Sequence, residues 1–243
     1  MSAGDTHRQS LSARLLRLAE LAWVRGPKEA VLTQAAEAVA RACGATLAEA
    51  LEVDRQQGVV RVWGYPRGRE AELAALDPSR LEPLLAMQGA ALLSGEEARL
   101  SPRSTEAAVR WALVAPVPVG DGVWGLLCAY RQHGRPFTAF HARLLEVAAR
   151  ALGACLERER EREELEALRR RWDALWTNPY QIVCELSTGG RILKVSPGFL
   201  DRLGVDADTL VGAIATDFIH PEDVQELAPV SYTHLTLPTN REV

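Results

Sequence analysis

Residues 138–177 restrict the fold of this chain more than any other segment, because about 40 positions without a proline favour one long helix. Thr138 can cap its amino end, and Pro179 requires it to end near Thr177. A helix of that length would measure about 60 Å. The segment therefore predicts a helix that begins in one domain and leads towards another.

The character of this helix changes along its length. Its first part carries apolar side chains that could pack on a sheet, namely Phe140, Leu144, Val147, Ala148 and Ala151. Residues 157–164 then alternate in charge, which places opposite charges at i,i+3 but like charges at i,i+4. Beyond them, four apolar residues follow the 3-4-3 spacing of a coiled-coil seam: Leu165, Leu168, Trp172 and Leu175. A single helix would leave this seam in water, so we expect the helix over 157–178 to pair with its own copy in a homodimer.

Composition argues against several classes of protein. Hydrophobic residues make up 47% of the chain and charged residues 25%, as in soluble globular proteins. The formal net charge is −4 and no basic face is clustered, so we expect no nucleic-acid partner. No apolar run approaches the roughly 18 residues of a membrane span, and the first residues are polar, unlike a secretory leader. These features predict a cytoplasmic chain, or the cytoplasmic part of a longer one.

The chain shows no catalytic or metal-binding motif. Its 4 cysteines are far apart and lack histidines at ligand spacing, which argues against a disulfide framework and a zinc site. His220 has no spaced partner, so we expect no metal. A phosphate-binding loop, a serine-nucleophile motif and a kinase signature are all absent. His141 lacks the neighbours of a phosphoacceptor histidine, and we expect that this chain is not an enzyme.

The first half of the chain combines helices with strands. Apolar spacing predicts a helix over 9–23, within an amino-terminal segment of residues 1–26, and a second helix from Pro27 to Gly44. Residues 47–53 suit a strand or a helix, whereas Val59–Tyr65 has the composition of a strand, and 54–58 predict a hairpin loop between them. Past Pro66, short helices are predicted around 70–76 and 80–87.

A β-hairpin over residues 113–131 is the clearest strand signal. Its two strands, 113–119 and 123–131, flank a Gly-Asp-Gly turn at 120–122. Alternation places four residues on one face, namely Leu113, Ala115, Val117 and Val119. Pro116 and Pro118 lack N–H groups on one edge of the first strand, so we expect that edge to be unpaired at this end.

Residues 27–156 resemble a GAF domain. The resemblance is carried by the helix that opens at Pro27, by P-V-P-V-G-D-G-V-W-G-L-L at 116–127, and by R-P-F-T-A-F-H-A-R-L-L-E-V-A-A-R at 135–150. It implies an α+β fold, in which a GAF-like antiparallel sheet is flanked by helices. It also implies a sensor domain, and it covers about half of the chain.

GAF domains generally hold small ligands between the sheet and the segment over it, which would be residues 66–110 here. By that resemblance, five large side chains could line such a pocket: Trp63, Tyr65, Met87, Trp111 and Trp124. The alternative is that they fill the core. The residue pattern of cyclic-nucleotide-binding relatives is absent, and no cysteine stands at a bilin-attachment position. The cofactor is therefore unknown from the sequence.

After Pro179 the pattern returns to strands. Ile182, Cys184 and Leu186 alternate before a turn at 188–190 and a second arm at 191–195. A helix is predicted to begin at Ser196-Pro197 and to end at Gly204. A short turn over 206–212 and a further helix from 220 are predicted after it.

Residues 179–228 resemble the first half of a PAS domain. The resemblance is carried by V-S-P-G-F-L-D-R-L-G-V at 195–205, T-L-V-G at 209–212 and D-F-I-H-P-E-D-V at 217–224. It implies a truncated PAS-like α+β domain. Residues 229–243 match no further part of that fold, and we expect a non-native or disordered tail there.

Together these features predict the input fragment of a bacterial signal-transduction protein. A GAF-like sensor would bind a small ligand or partner, and the 157–178 helix would relay the signal towards an output such as a histidine kinase or diguanylate cyclase. One alternative is a GAF-fold thiol enzyme, such as a free methionine sulfoxide reductase, in which Cys43 and Cys128 would have to meet in a pocket. Another is a GAF-containing transcription regulator.

Overall fold

The computed structural model describes residues 16–54, 59–66, 73–75, 78–181, 183–198, 204 and 206–218. The chain divides into two compact units, Met1–Arg162 and Glu163–Val243. Predictions for residues 9–15, 55–58, 199–203 and 219–243 lie outside the described residues. Among those described, no helix is long and apolar enough to cross a lipid bilayer.

The first unit is built on one six-stranded sheet. Its strands are β1 (Leu47–Asp54), β2 (Val59–Tyr65), β3 (Leu73–Ala75), β4 (Ala91–Ser94), β5 (Trp111–Val119) and β6 (Gly122–Arg131). Their order across the sheet is β3-β2-β1-β6-β5-β4, and each neighbouring pair is antiparallel. The segment over 47–53, whose sequence suited either a strand or a helix, is therefore a central strand.

Among the described residues, four helices accompany this sheet, besides the helical residues 16–19 and a 3-10 helix at Glu20–Trp23. They are α1 (Lys28–Cys43), α2 (Pro78–Leu85), α3 (Pro102–Glu106) and α4 (Ala139–Trp176). Helix α1 begins one residue after the predicted Pro27, whose carbonyl accepts hydrogen bonds from the Ala30 and Val31 amides, and Gly44 ends it with a φ of 59°. Residues 16–19, within the predicted amino-terminal helix, are helical before the chain tightens into the 3-10 turn.

The two faces of the sheet carry separate apolar clusters. On the first, which we call the helix face, Ala48, Ala50, Leu113, Ala115 and Val117 pack with buried residues of α1 and α4. On the second, the short-helix face, Leu51, Val62, Val114 and Leu126 pack with α2 and with the segment around α3. The predicted shared face of the 113–119 strand is confirmed, since Val119 also packs against the first cluster.

The prediction of a helix over 70–76 is wrong for its described part. Leu73–Ala75 forms strand β3, which pairs with Val59, Val60 and Arg61 of β2. Alanine and leucine favour a helix locally, but the edge of β2 offers these residues a complete ladder. The helix predicted around 80–87 is present as α2.

The hairpin of β5 and β6 matches its prediction. β6 pairs with β5 along the whole strand, whereas the ladder to β4 ends at Val114. The edge that holds Pro116 and Pro118 is therefore unpaired beyond that point, as expected from their missing N–H groups.

Helix α4 is a single element of 38 residues. Leu144, Ala148 and Ala151 are buried on the helix face and Val147 packs against it, which confirms their predicted role. Phe140 does not share that role, because it lies in the first turn, where its side chain is exposed. At Gly153 the helix touches the end of β5: a Cβ there would lie 1.9 Å from the Pro118 carbonyl oxygen.

The second unit contains a small hairpin with short helical turns. Strands β7 (Cys184–Leu186) and β8 (Ile192–Val195) are antiparallel, and α5 (Ala207–Leu210) and a 3-10 helix (Ala215–Phe218) follow. Ile192, Val195 and Leu210 form its buried cluster. Cys184 and Leu186 alternate in sequence as an inner face would, but both are exposed, because β7 is a single short strand with no described element packed over it.

Candidate functional site

Glu49 is a carboxylate buried in the middle of an apolar sheet. It belongs to central strand β1, and its exposed fraction is 0%. Register places it opposite Gly64 of β2 and Cys128 of β6, on the short-helix face. Tyr130 lies two residues along β6 on the same face and is also fully buried. Because acidic side chains are almost never fully buried without partners, this position requires an explanation.

A pair of serines at the start of α3 provides the first partner. Ser101 Oγ donates to Glu49 Oε2 at 2.6 Å and accepts from the Ser104 amide at 3.0 Å. Ser104 Oγ in turn accepts from the Ser101 amide at 2.8 Å, which completes a reciprocal capping box. The amino end of α3 is thereby fastened to the carboxyl group of Glu49.

Arg103 of α3 provides the second partner. Its Nε lies 3.9 Å from Glu49 Oε1, and its Nη2 donates to the Pro66 carbonyl at 2.7 Å. The guanidinium reaches this position over Gly64, where a Cβ would lie 1.9 Å from Nη1. The absence of a side chain at 64 is therefore what lets Arg103 approach Glu49.

Two polar atoms of this cluster remain without a hydrogen bond. Among the described residues, no partner meets both the distance and the angle of a hydrogen bond to Glu49 Oε1 or Tyr130 Oη, although the Tyr130 hydroxyl lies close enough to the Glu49 carboxyl group to lower the pKa of Glu49. Burial raises the pKa of Glu49, against the opposing effects of Ser101, Arg103 and Tyr130. Burial also raises the pKa of Tyr130, and the nearby Cys128 and Glu49 raise it further. A buried cluster with unmet hydrogen-bonding capacity is a typical site for a ligand.

A family model now identifies the first unit, since the GAF domain model matches residues 28–156. The chain belongs to the GAF domain family. The predicted resemblance over 27–156 is thus confirmed, and the Glu49 cluster lies within this GAF domain.

Two solved structures with TM-scores above 0.5 agree on the fold of the GAF domain, and a third lies just below that score. The GAF domain from a phosphoenolpyruvate-protein phosphotransferase of Coxiella burnetii is 12% identical, with a TM-score of 0.52 over 64% of this chain and 98% of that one. The bacteriophytochrome RpBphP3 of R. palustris is also 12% identical, with a TM-score of 0.51 over 72% of this chain, and the match covers only 42% of that protein. A free methionine-R-sulfoxide reductase from Neisseria meningitidis is 17% identical, with a TM-score of 0.49 over 62% of this chain and 90% of that one. No curated protein matches the chain.

The five side chains predicted to line a pocket of the GAF domain do not share one face. Four pack against the cluster of the helix face, namely Trp63, Tyr65, Trp111 and Trp124. Met87 packs against the cluster of the short-helix face. Ligand contact by these residues stays a prediction.

Trp63 and Trp124 form a cation–π cluster in which Lys28 of the same chain supplies the cation. Their rings stack at 6.2 Å between centroids, and Lys28 Nζ lies 5.8 Å from one and 5.6 Å from the other. Glu52 Oε1 pairs with Lys28 and accepts from Trp124 Nε1 at 3.2 Å. The ammonium of the chain itself therefore lies over these aromatic faces.

Sequence reasoning missed Glu49, Ser101, Arg103 and Tyr130. A signal was present at Glu49, which stands between Leu47 and Leu51 on the inward side of an alternating strand. Its alanine neighbours made a helix equally acceptable, and on a helix the carboxylate would have needed no explanation. Ser101 and Arg103 carry no such signal, because only the folded chain brings α3 to β1.

The cysteines do not form the pair that the thiol-enzyme alternative requires. Cys43 is buried in the cluster of the helix face, and Cys128 is buried in the cluster of the short-helix face. Burial also raises the pKa of Cys128, which disfavours its thiolate. Over the described parts of the chain, no group of His, Cys, Asp or Glu residues could hold a metal ion.

Proposed function

We propose that this chain is the sensory and relay part of a signal-transduction protein. Its GAF domain binds a small ligand on the short-helix face, and helix α4 passes the resulting change onward. The observation that carries the proposal is the helix itself: one 38-residue element begins in the core of the GAF domain and continues into a segment whose apolar side chains are uncovered.

The ligand part of the proposal rests on the Glu49 cluster. A central strand, the start of α3 and strand β6 each contribute to it. Because Ser101 and Arg103 hold α3 through that carboxyl group, a ligand at Glu49 would displace or tighten α3. Binding would thereby alter the packing of the sheet that supports α4.

The relay part rests on the apolar seam of α4. Leu165, Leu168, Trp172 and Leu175 are 58%, 60%, 48% and 47% exposed. Large apolar side chains at coiled-coil spacing are stabilised when a second helix covers them. A second copy of the chain supplies the same spacing, so we propose a homodimer through the 157–178 helix. The alternating charges before the seam provide only partial intrahelical support, which suits a segment that bends or shifts register.

The region after α4 is proposed to be PAS-like. Its support is the sequence resemblance over 179–228 together with a described hairpin and a short α5 in the expected order. We also propose, from the sequence, that the output of the protein is a histidine kinase or a diguanylate cyclase and that the chain is cytoplasmic.

The dimer is tested with two matched variants of the full chain. Leu168→Glu places a charge in the seam, whereas Arg170→Glu changes an exposed residue on the side of the helix that faces away from it. Light scattering at tens of micromolar should give a dimer for the wild type and for Arg170→Glu, and a monomer for Leu168→Glu, because a charge in an apolar seam opposes pairing. A wild-type monomer at that concentration contradicts the relay proposal.

A further inference from the structure

We propose that Arg103, Tyr130 and Glu49 form a subsite for the carboxylate group of a small organic acid. This inference rests on the proposed ligand-sensing function and adds the chemical class of the ligand. It starts from the two atoms that the fold leaves without hydrogen bonds, Glu49 Oε1 and Tyr130 Oη. Buried polar atoms of this kind are rare in folded proteins and usually mark a missing partner.

The groups that point to a ligand are mainly donors. Tyr130 offers a hydroxyl hydrogen, and the guanidinium of Arg103 carries five N–H bonds, of which one goes to the Pro66 carbonyl. A guanidinium and a hydroxyl are common donors to the two oxygens of a carboxylate, and here each of them lies near the carboxyl group of Glu49. A cationic ligand would face the positive charge of Arg103, so the cluster disfavours it.

The distance between Arg103 Nε and Glu49 Oε1 leaves room for one ligand oxygen atom that is hydrogen-bonded to both. Their Nε and Oε1 atoms are 3.9 Å apart, which is too long for a direct hydrogen bond. An oxygen about 2.8 Å from each atom would span that distance. It would accept from the Arg103 N–H and from a proton on Glu49.

Glu49 can carry that proton because its side chain is fully buried. Burial raises the pKa of Glu49 and favours the neutral carboxylic acid. With Glu49 neutral, the charge of Arg103 is uncompensated among the described residues that face the carboxyl group. Among the described residues, the other titratable groups facing it are Tyr130 and Cys128 of β6, and both stay neutral because their pKa values are also raised. A carboxylate therefore restores the balance of charge.

The proton balance makes binding depend on pH. When Glu49 starts ionised, the ligand carboxylate and one proton from solvent enter together, and the new hydrogen bond runs from Glu49 to the ligand oxygen. Affinity should then fall as the pH rises above the pKa that Glu49 has without ligand, by up to about tenfold per pH unit. Arg103 connects this buried position to solvent, since its side chain is 23% exposed while that of Glu49 is 0% exposed.

The test is calorimetric titration of the full chain with acetate, pyruvate and succinate, at about pH 5.5 and about pH 7.5 in buffers of different ionisation enthalpy. We expect tighter binding at the lower pH, and uptake of up to one proton on binding at the higher pH, where Glu49 starts ionised. Arg103→Gln and Tyr130→Phe should each weaken binding about tenfold or more, because each removes donors to the ligand. Glu49→Gln, which resembles the neutral acid, should bind equally at both pH values without proton uptake.

Glu52→Gln is the matched control. Glu52 lies on the same strand but pairs with Lys28 and Trp124 on the helix face, so this variant should bind as the wild type does. If Arg103→Gln fails to fold by circular dichroism, Tyr130→Phe carries the test, since it removes one oxygen atom from a site where that atom has no hydrogen bond.

Two results would overturn the subsite. One is the absence of binding by all three acids up to about 10 mM at either pH. The other is wild-type affinity in both Arg103→Gln and Tyr130→Phe, which would place binding elsewhere. A neutral or cationic compound that raises the unfolding temperature, when the acids do not, would leave ligand sensing intact and remove only this subsite. A monomeric wild type would count against the relay function whatever the acids do.

Discussion

Glu49 couples the stability of the GAF domain to pH with a definite sign. Its pKa is raised in the folded state, so the folded chain holds a proton that the unfolded chain has already released. Stability is therefore greatest below the ordinary carboxyl pKa and is lost as the pH rises through the interval up to the raised pKa. Glu49→Gln removes that loss, and we expect it to be about 1–3 kcal/mol more stable than the wild type at about pH 8 and closer to it at about pH 4.

Urea unfolding at the two pH values measures this effect, with Glu52→Gln as the control. Glu52 pairs with Lys28 and accepts from Trp124, so its replacement should lower stability at about pH 8 by roughly 1 kcal/mol or less. A Glu49→Gln variant less stable than the wild type at about pH 8 would mean that the ionised carboxylate is the better partner for Arg103 and Ser101.

Residue-scale sequence reasoning reached the aromatic side chains but not the polar cluster. Trp63 and Trp124 are conspicuous because they are large, and the fold uses them to hold Lys28 on the helix face. In the sequence, Arg103 resembles the many other arginines of the chain, and only the fold shows that Gly64 gives it room to reach Glu49. Proximity between residues 49, 64 and 103 is a product of register and of α3 packing, which no local pattern encodes.

Elements with strong local signals were predictable, and elements formed by tertiary pairing were not. The β5–β6 hairpin follows from alternation and a Gly-Asp-Gly turn, and α4 follows from its length without proline. Strand β3 depends on the edge of β2, so its residues gave a helical pattern instead. Strand β1 was ambiguous for the same reason, because only its place between β2 and β6 pairs the backbone groups along both of its edges.

Gly153 is a point of close approach between α4 and the β5–β6 hairpin. In an exposed helix, a change from glycine to alanine should stabilise by about 1 kcal/mol. Here the new Cβ would lie 1.9 Å from the Pro118 carbonyl oxygen, so helix and strand must separate. We expect Gly153→Ala to lower the unfolding free energy by about 1–3 kcal/mol in urea titrations.

Ala154→Gly supplies the comparison for this variant. Ala154 is the next residue of α4 and is exposed, so its change reports helix propensity alone, a loss of about 1 kcal/mol. If Gly153→Ala instead raised the unfolding free energy by as much as Ala154→Gly lowers it, helix α4 would not be in close contact with β5 at this residue. A change of sheet packing would then have no direct route to α4 at this point.

At the scale of the whole molecule, the two units differ greatly in what they bury. The first has an extensive apolar cluster on each face of a six-stranded sheet. Among its described residues, the second has Ile192, Val195 and Leu210, with Ala215 packed against them. Stability rises with the apolar area removed from water, so the second unit should unfold first. Elements of low stability are also those that conformational signals most easily alter.

Calorimetry of the full chain should therefore show two unfolding transitions, and a substitution in one unit should lower only the transition of that unit. Ile192→Ala should lower or abolish the first transition and leave the second in place, because it removes about 2–5 kcal/mol from the smaller cluster. Leu144→Ala, in the helix-face cluster, should lower the second transition by a comparable free energy.

Leu193→Ala is the control for the first, since Leu193 adjoins Ile192 but is 52% exposed and should shift neither transition by more than about 0.5 kcal/mol. A single transition lowered by both Ile192→Ala and Leu144→Ala would show that the chain unfolds as one cooperative body, and helix α4 would then join parts of one domain rather than relay between two.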